Sequence, residues 1–403
     1  MCALPEAVTA STVRAMSQRT ATRTHTFTES VIRDMTRVAR QYDAINLAQG
    51  FPDFPAPQLL KDAACRAIQE DVNQYAITWG TPSLRSALAR KYREWYGLAV
   101  DPDSEITVTC GATEAMAVVM LAVVDPGEEV IVLEPFYENY GPDAILCDAS
   151  PVFLPLLPPD FRLDPARLRS AVTPRTRAIV INTPNNPTGR VFDPNEMAAV
   201  AELCIEHDLL AITDEIYEHI VFTGRHIPLA GMPGMRERTI VISGLSKTFS
   251  VTGWRVGTIV APPVLTGAMR KVHDFLTVGA PAPLQEACAA GLDSLGRDYY
   301  EGIARDYRER RDILWRGLRD SGFGCTLPEG AYYIMADFSA LSELDDMAFS
   351  TYMARECGVA PVPGSSFYSR PERGAKLVRF AFCKQAGTLE RAVERLRSFF
   401  GNP

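Results

Sequence analysis

The chain has 403 residues, a formal net charge of −8, and ordinary proportions of hydrophobic (47%) and charged (22%) residues. A chain of this length is too long to fold around one small hydrophobic core, so we expect two domains. The acidic balance disfavours a nucleic-acid-binding surface, and no apolar run in the sequence is long enough to span a bilayer.

The nine cysteines occur singly, from Cys2 to Cys383, without a C-x-x-C pair or a spacing typical of zinc ligands. An odd number of scattered cysteines disfavours a secreted disulfide framework. The pattern therefore predicts reduced thiols, a cytoplasmic protein and no metal site.

The first segment, residues 1–28, is rich in Ala, Thr, Ser and Arg and contains a single acidic residue. It lacks the apolar core of a secretory signal, and we expect a flexible arm. Apolar residues at helical spacing then predict a helix within 30–42. Gly and Pro predict an irregular loop at 45–57, and a proline at the first position predicts helices at 57–70 and 82–96.

The middle of the chain alternates short β-rich runs with helical patterns such as the one at 193–207. Several runs, for example AIVI and IVIS, are apolar at nearly every position, which is typical of strands covered on both faces. The sequence therefore predicts an α/β fold whose large domain contains a mostly parallel sheet of seven strands. The predicted strands are 106–108, 129–133, 151–155, 177–181, 210–213, 239–243 and 257–260.

After about residue 280 the pattern changes to longer helices and a few short strands, which is typical of an α+β domain. The predicted elements are helices at 281–295, 297–321 and 389–399 and strands at 332–336 and 377–381. We expect residues 29–60 and 281–403 to form this smaller domain and residues 61–280 to form the large one.

Three consecutive strands of the predicted sheet are followed by polar residues. In strand order these residues are Asn185 and Asn186, then Asp214 and Tyr217, then Lys247 and Arg255. Because ligands of open α/β sheets lie beyond the carboxyl ends of the strands, we expect these groups to meet at one edge. Lys247 is also the single lysine between Lys91 and Lys271, and lysine, unlike arginine, can deprotonate.

These residue types match the requirements of pyridoxal phosphate. A lysine amine forms a Schiff base with the cofactor and later moves the substrate's proton, and a carboxylate keeps the ring nitrogen protonated. Amide and phenol groups bind the ring oxygen, a guanidinium binds the phosphate, and the turn TCGATEAM at 109–116 offers a helix N-terminus to the same phosphate. Each residue alone is also compatible with a surface charge, a helix cap or an ordinary turn. Their order on successive strand ends favours one shared cofactor.

Seven segments, running in order from about residue 28 to 400, carry a family resemblance. They are NLAQGFPDFPAP (46–57), NQYAITWGTPSLR (73–85), EPFYENY (134–140), NTPNNPTG (182–189), TDEIY (213–217), SKTFSVTGWRVG (246–257) and VRFAFCK (378–384). On these segments the chain resembles the class I and II aminotransferases of the fold-type-I pyridoxal-phosphate superfamily. It is most similar to their kynurenine/glutamine aminotransferase-like group.

The resemblance implies a role for each matching residue. Lys247 is implied as the Schiff-base lysine and Asp214 as the partner of the ring nitrogen. Tyr217 and Asn186 are implied at the ring oxygen, Tyr137 on the ring face, and Gly111, Ala112, Thr113, Arg255 and Tyr75 at the phosphate. Gly50, Asn186 and Arg379 are implied to bind the substrate, with Arg379 paired to its α-carboxylate. Tyr75 is implied to come from a second subunit, so the resemblance implies a homodimer.

The chain departs from the family pattern at two places. Many relatives have Ser or Thr three residues before the lysine to bind phosphate; this chain has Gly244 there, and Ser246 or Ser243 is the alternative donor. Val278 and Gly279 stand where relatives have an aromatic residue and a histidine, which widens the pocket and argues against naming kynurenine as the substrate.

The resemblance implies a pyridoxal-phosphate-dependent aminotransferase that moves an amino group from an amino acid to a 2-oxo acid. A lyase or a β/γ-replacement enzyme, for example one acting on a sulfonium amino acid, would use the same residues and remains the alternative. A regulator that joins such a domain to a winged helix is disfavoured, because only about 28 residues precede the predicted fold, too few for a DNA-binding domain.

Overall fold

The computed structural model describes residues 20–27 and 29–401. Chain contacts separate a first unit, up to Ser30, from a second unit that begins at Val31. The described part of the first unit contains one 3₁₀ turn, Thr22–His25, and the rest of the predicted arm, 1–19 and 28, lies outside the described residues. Within the described part of the chain, no helix is long and apolar enough to cross a membrane.

A seven-stranded sheet forms the centre of the second unit. Its strands are β2 (Ile106–Thr109), β3 (Glu129–Glu134), β4 (Ser150–Pro155), β5 (Thr176–Asn182), β6 (Leu210–Asp214), β7 (Thr239–Gly244) and β8 (Gly257–Val260). The spatial order is β2-β8-β7-β6-β5-β3-β4. β8 runs antiparallel to both of its neighbours and the other pairs are parallel. The predicted α/β fold with a mostly parallel sheet is therefore confirmed.

The apolar runs occupy the positions that their composition predicts. Every residue of β3, β6, β7 and β8 is buried, because helices cover both faces of a mostly parallel sheet. Each of the seven predicted strands is present, with ends that differ by no more than a residue or two.

The second unit contains all the predicted helices together with others that were not predicted from the sequence. In chain order, the helices are Val31–Gln41, Gln58–Gln69, Pro82–Tyr96, Gly111–Val123, Tyr140–Leu146, Pro165–Ser170, Pro194–Glu206, Leu245–Thr248, Pro263–Leu276, Ala282–Ser294, Arg297–Asp320, Asp346–Tyr352 and Ala386–Phe400. Local capping explains two well-defined starts: the Thr81 hydroxyl accepts from the Leu84 amide, and Asp193 forms a capping box with Glu196.

Two small sheets lie outside the main one. β11 (Val362–Pro363), β12 (Leu377–Ala381) and β9 (Tyr333–Asp337) form an antiparallel sheet in that order, and β1 (Ile45–Asn46) pairs in parallel with β10 (Val359–Ala360). β1 occupies the start of a segment predicted to be an irregular loop. Its pairing joins the N-terminal segment to the C-terminal part of the second unit, and the predicted domain division at residues 60 and 281 stays a prediction.

Candidate active site

The carboxyl ends of β5, β6 and β7 bring the predicted polar residues to one edge of the sheet. Asn182, the last residue of β5, lies opposite Asp214, the last residue of β6, and Asp214 lies opposite Ile242 of β7. β7 ends at Gly244, and Lys247 lies in the short helix that follows. Adjacent parallel strands thus place the predicted carboxylate and lysine next to each other at this edge.

Asp214 is a buried carboxylate with few partners. One oxygen accepts a hydrogen bond from the Tyr140 hydroxyl at 2.7 Å and the other accepts from the Ile216 amide at 3.2 Å. Burial raises the pKa of Asp214, although these hydrogen bonds and the charge of Lys247 oppose the rise. A protonated ring nitrogen would stabilise the charged form of this carboxylate, so the site fits a pyridinium.

Lys247 is a lysine prepared to act as a neutral amine. Burial lowers its pKa to about 8, and the positive charges of Arg255 and Arg379 act in the same direction against the opposing effects of Cys383 and Asp214. At pH 7 an amine with this pKa is about one-tenth neutral, whereas an ordinary lysine is neutral in about three molecules per ten thousand. The neutral amine is the form that attacks a carbonyl.

The predicted phosphate site is built from the turn at Gly111 and the side chain of Arg255. Gly111 begins the helix Gly111–Val123 with φ +82°, and a Cβ added there would lie 2.3 Å from an Arg255 Nη atom. Arg255 is in the left-handed region (φ 55°), and its guanidinium donates to the Cys110 carbonyl at 3.4 Å and the Thr113 hydroxyl at 3.5 Å. The guanidinium and a helix N-terminus therefore converge, which fits a phosphate dianion.

Arg379, the predicted carboxylate clamp, is fully buried on β12. Its Nη1 donates to the Asn186 side-chain oxygen at 2.8 Å and its Nη2 donates to the Ala48 carbonyl at 2.6 Å. Its Nε is buried and has no hydrogen-bond acceptor among the described residues. The guanidinium keeps an unsatisfied donor, which fits an anionic group of the substrate.

Asn186 is held by the end of β5. Its backbone amide donates to the Asn182 side-chain oxygen at 2.7 Å, and Asn182 in turn donates to the Asp214 carbonyl at 2.9 Å. Asn185 makes different contacts, because its side-chain oxygen accepts from the amide and the hydroxyl of Thr188. The two neighbouring asparagines therefore differ: Asn186 reaches Arg379, and Asn185 closes its own turn.

The predicted aromatic residues surround the same place. Tyr217 is buried, and its hydroxyl lies 3.1 Å from the Tyr333 hydroxyl. Tyr137 packs edge to face against Tyr140, and burial with the nearby Glu138 raises its pKa to about 12. Both phenols therefore keep their protons at neutral pH and are hydrogen-bond donors.

The departure at Gly244 leaves one candidate donor for the phosphate. The Ser243 hydroxyl donates to the Glu218 carboxylate at 2.7 Å, inside a buried cluster that also contains Lys91 and Tyr96. Ser243 is thus engaged away from Gly111, which leaves Ser246, a buried residue next to Lys247, as the remaining alternative.

Tyr75 differs from the other predicted residues because it faces solvent, with 88% of its surface exposed. The segment that carries it is anchored at Thr78, whose carbonyl bonds the Nε2 of His273 at 2.8 Å. Several other exposed apolar side chains lie on these two connected segments: Ile77, Phe275, Leu276 and Val278. We call this set, together with Tyr75, the exposed apolar surface.

Several residues in contact with the predicted site residues received no role from the sequence. They are Tyr140 on Asp214, Tyr333 on Tyr217, Tyr332 on Gly50, Ala48 on Arg379, and Cys383 near Lys247. Tyr140 and Cys383 lie inside the segments EPFYENY and VRFAFCK, so the resemblance contained a signal for them. No comparable signal marked Tyr333, because a tyrosine in a buried strand is usually explained by packing.

The seven-stranded sheet with a lysine, a carboxylate, a phosphate-type turn and a buried arginine at one edge defines a pyridoxal-phosphate enzyme of fold type I. The family described as "Aminotransferase class I and II" matches residues 42–396, and the chain belongs to this family, whose members use pyridoxal 5′-phosphate. The chain is therefore a pyridoxal-phosphate-dependent aminotransferase.

Individual relatives agree with this assignment over nearly the whole chain. A probable N-succinyldiaminopimelate aminotransferase, DapC, of Mycobacterium tuberculosis is 41% identical, covering 94% of this chain and 98% of its own. The structure of N-succinyldiaminopimelate aminotransferase from Mycobacterium tuberculosis superposes with a TM-score of 0.91, covering 94% of this chain and 99% of the other. Kynurenine–oxoglutarate transaminase 1 of Homo sapiens is 36% identical, covering 91% of this chain and 94% of its own.

Proposed function

We propose that this aminotransferase works through Lys247 as the amine that binds the cofactor and Asp214 as the group that keeps the cofactor's ring nitrogen protonated. When bound, pyridoxal phosphate supplies an electron sink for the bond that breaks at the amino acid's Cα. The observation that carries the proposal is the pair itself: a buried carboxylate and a partly buried amine at the ends of adjacent strands, each with a pKa that burial shifts toward its neutral form.

Lys247 has two tasks in this proposal. Its neutral Nζ binds the cofactor, and after an incoming amino group displaces it, the same atom would accept the proton from the substrate's Cα and deliver it to the cofactor's C4′ carbon. A pKa near 8 suits both tasks, because an acid–base group is most effective when its pKa is close to the working pH.

Arg379 orients both substrates through the group that amino acids and 2-oxo acids share, the α-carboxylate. Hydrogen bonds to Asn186 and Ala48 already fix the orientation of its guanidinium, so the substrate's carboxylate binds in a defined direction. Since donor and acceptor use one clamp in turn, we expect ping-pong kinetics. The relatives' names contain donors as different as N-succinyldiaminopimelate and kynurenine, which supports recognition by this common group.

We further propose a homodimer in which Tyr75 of each chain reaches the partner's phosphate site. The support is the exposed apolar surface, where Tyr75 is 88% and Phe275 is 94% exposed. Large apolar side chains grouped on connected segments are typical of protein interfaces. Burying them against a second copy would give the two-fold arrangement that most homodimers use.

We also propose that the enzyme is cytoplasmic. The support is its cysteines: all eight that lie within the described residues are free thiols, and five of them are buried. Such thiols are typical of a reducing compartment.

A half-reaction measurement tests the proposed reaction. The holoenzyme is mixed with a panel of single amino acids without any 2-oxo acid, and the visible absorbance of the cofactor bound to Lys247 is followed. With an aminotransferase, the loss of absorbance increases with the amount of amino acid added. The amino group stays on the cofactor, and a 2-oxo acid is released without free ammonia. Release of ammonia or of an unsaturated product would indicate the lyase alternative. An amino acid with an exchanged side-chain group, formed while the absorbance returns, would indicate the β/γ-replacement alternative. Arg379→Lys should raise the KM of every active donor, because lysine cannot form the bidentate pair.

A further inference from the structure

We propose that Tyr333 is a positioning residue of this active site, which holds the Tyr217 hydroxyl toward the cofactor's ring oxygen. This inference rests on the proposed function, in which Tyr217 donates to that oxygen. It adds a residue that the resemblance does not assign.

The hydroxyl contact is buried and direct. Tyr333 is the first residue of β9 and is 3% exposed, Tyr217 is 4% exposed, and their hydroxyl oxygens lie 3.1 Å apart. Among the described residues, Tyr333 is the hydrogen-bond partner of the Tyr217 hydroxyl, and a phenol buried to this degree is costly to leave unpaired.

The direction of this hydrogen bond follows from the proposed role of Tyr217. Burial raises the pKa of both phenols, so both oxygens carry protons at neutral pH. If Tyr217 gives its single proton to the ring oxygen, only a lone pair of its oxygen remains available, and Tyr333 must be the donor. The result is a chain of two donors, and each hydrogen bond in such a chain strengthens the next.

Tyr333 also contacts two predicted substrate-binding residues. The guanidinium of Arg379 lies over its ring, 4.2 Å from the centroid, a cation–π contact that orients the fork. A Cβ added to Gly50 would lie 2.1 Å from the Tyr333 hydroxyl oxygen. The absence of a side chain at Gly50 therefore leaves room for the Tyr333 hydroxyl. Through this contact, Tyr333 packs against the loop that contains Gly50.

The neighbouring Tyr332 provides a matched control. It is equally buried, but its hydroxyl donates to the Gly50 carbonyl at 2.8 Å, and it meets Tyr217 only through ring edges, with centroids 5.0 Å apart. Removing the Tyr332 hydroxyl therefore costs a buried hydrogen bond of similar kind while the Tyr333 hydroxyl stays beside Tyr217.

The test is a pH titration of the visible absorbance of the cofactor bound to Lys247, in holoenzyme carrying Tyr217→Phe, Tyr333→Phe or Tyr332→Phe. Loss of a donor at the ring oxygen raises the pKa that this absorbance reports. Tyr333→Phe should raise it by about a quarter of the change that Tyr217→Phe produces, since cooperative strengthening is about 10–30% per hydrogen bond. Tyr332→Phe should shift it less than Tyr333→Phe does, because the Tyr332 hydroxyl bonds the Gly50 carbonyl and not the Tyr217 hydroxyl. Thermal unfolding of each variant shows that it is folded.

Kinetics separate the hydroxyl from the ring. Tyr333→Phe keeps the ring under Arg379, so kcat should fall while KM for the amino donor stays within about twofold; Tyr333→Leu loses the cation–π contact as well, and its KM should rise about fivefold. The proposal is overturned if Tyr333→Phe titrates like the wild type while Tyr217→Phe does not, or if Tyr332→Phe shifts the pKa as much. If Tyr217→Phe itself causes no shift, the proposed function of Tyr217 has failed instead.

Discussion

Two regions of the molecule supply the predicted active site in different ways. At the sheet edge, Asp214 is buried, Lys247 is partly buried and Arg379 has no exposed surface. On the exposed apolar surface, Tyr75 is 88% exposed and Phe275 is 94% exposed. Groups that must keep unusual pKa values are enclosed by one chain, whereas the group proposed to reach a partner's phosphate is left outside.

The physical reason for this contrast is the dielectric environment. A lysine with a pKa near 8 and a raised aspartate pKa both require burial, and burial inside one chain persists whether or not a partner is present. Binding a phosphate dianion instead requires hydrogen-bond donors. A donor on an exposed segment, such as Tyr75, can reach a phosphate in another chain only after the two chains associate. In the proposed assembly, the chain therefore fixes the proton chemistry internally, and a second copy completes one end of the cofactor site.

His273 connects the two regions. Its Nδ1 lies 2.7 Å from a Glu114 carboxylate oxygen and its Nε2 lies 2.8 Å from the Thr78 carbonyl oxygen. Both partners are acceptors, so this geometry favours the imidazolium form, in which both ring nitrogens donate. Glu114 belongs to the helix that begins at Gly111, so this pair ties the segment of Tyr75 to the predicted phosphate turn.

Replacing Lys247 tests the inner region with the largest expected effect. Lys247→Ala should lower turnover by at least about 10⁴-fold, since the variant loses both the covalent attachment and the proton-transfer group. It should still bind pyridoxal phosphate noncovalently, as measured by absorbance after gel filtration. Lys271→Ala, an exposed lysine, is the control and should keep its activity. Near-normal activity of Lys247→Ala, or borohydride trapping of the cofactor on another lysine, would contradict the assignment.

Removing the charge of the buried carboxylate should have the next largest effect. Asp214→Asn keeps the shape of the side chain but removes the partner of the protonated ring nitrogen, and we expect kcat to fall by about 10³-fold. The control is Asp143→Asn, at a second buried carboxyl whose pKa burial raises to about 7, and it should stay active. A loss below about tenfold for Asp214→Asn would show that Asp214 is not the ring partner.

The exposed region is best tested in mixed dimers. Tyr75→Phe and Arg255→Ala should each reduce activity as homodimers, because each weakens the same phosphate site from opposite chains. In a heterodimer of the two variants, one site collects both defects and the other has none, so about half of wild-type activity should return. Differently tagged chains and tandem purification provide the heterodimer. No recovery would mean that Tyr75 acts within its own chain, and an active monomer in light scattering would refute the shared site.

The smallest expected effect concerns the link at His273. Burial alone would lower the pKa of His273, but the hydrogen bonds to Glu114 and Thr78 outweigh this effect and raise it. A group with a raised folded-state pKa stabilises the protein fully below its unfolded pKa of about 6.5, and this stabilisation is lost as the pH rises through the folded value.

His273→Gln should therefore lower the free energy of unfolding by about 2 kcal/mol at pH 6, a cost typical of hydrogen bonds to a charged group. The difference from wild type should shrink toward pH 9, and thermal unfolding at a series of pH values measures it. His207→Gln, at a partly exposed histidine, is the control. A difference that does not change with pH would mean that His273 is not held as an imidazolium.

Much of the fold and of the site could be predicted from the sequence, because the relevant signals are local. Apolar runs placed the seven strands, and prolines placed the helix starts within a residue or so. The strand ends then brought Asp214 and Lys247 to one edge, since parallel strands share the direction of their carboxyl ends. Hydrophobic periodicity, and the sequence of strands along the chain that it reveals, depend on a few neighbouring residues, so no knowledge of packing was needed.

Only the tertiary structure decided which side chains meet. Tyr140 and Asp214 are 74 residues apart, Tyr217 and Tyr333 are 116 apart, and Asn186 and Arg379 are 193 apart. Hydrogen bonds form within about 3 Å, and such distances are set by how helices, loops and the small sheets pack against the main sheet. Tertiary packing also placed Ser243 beside Glu218 and left Tyr75 exposed. The sequence determined the order of the chemical groups along the sheet edge, and the packing determined their partners, because a hydrogen bond depends on position in space and not on separation along the chain.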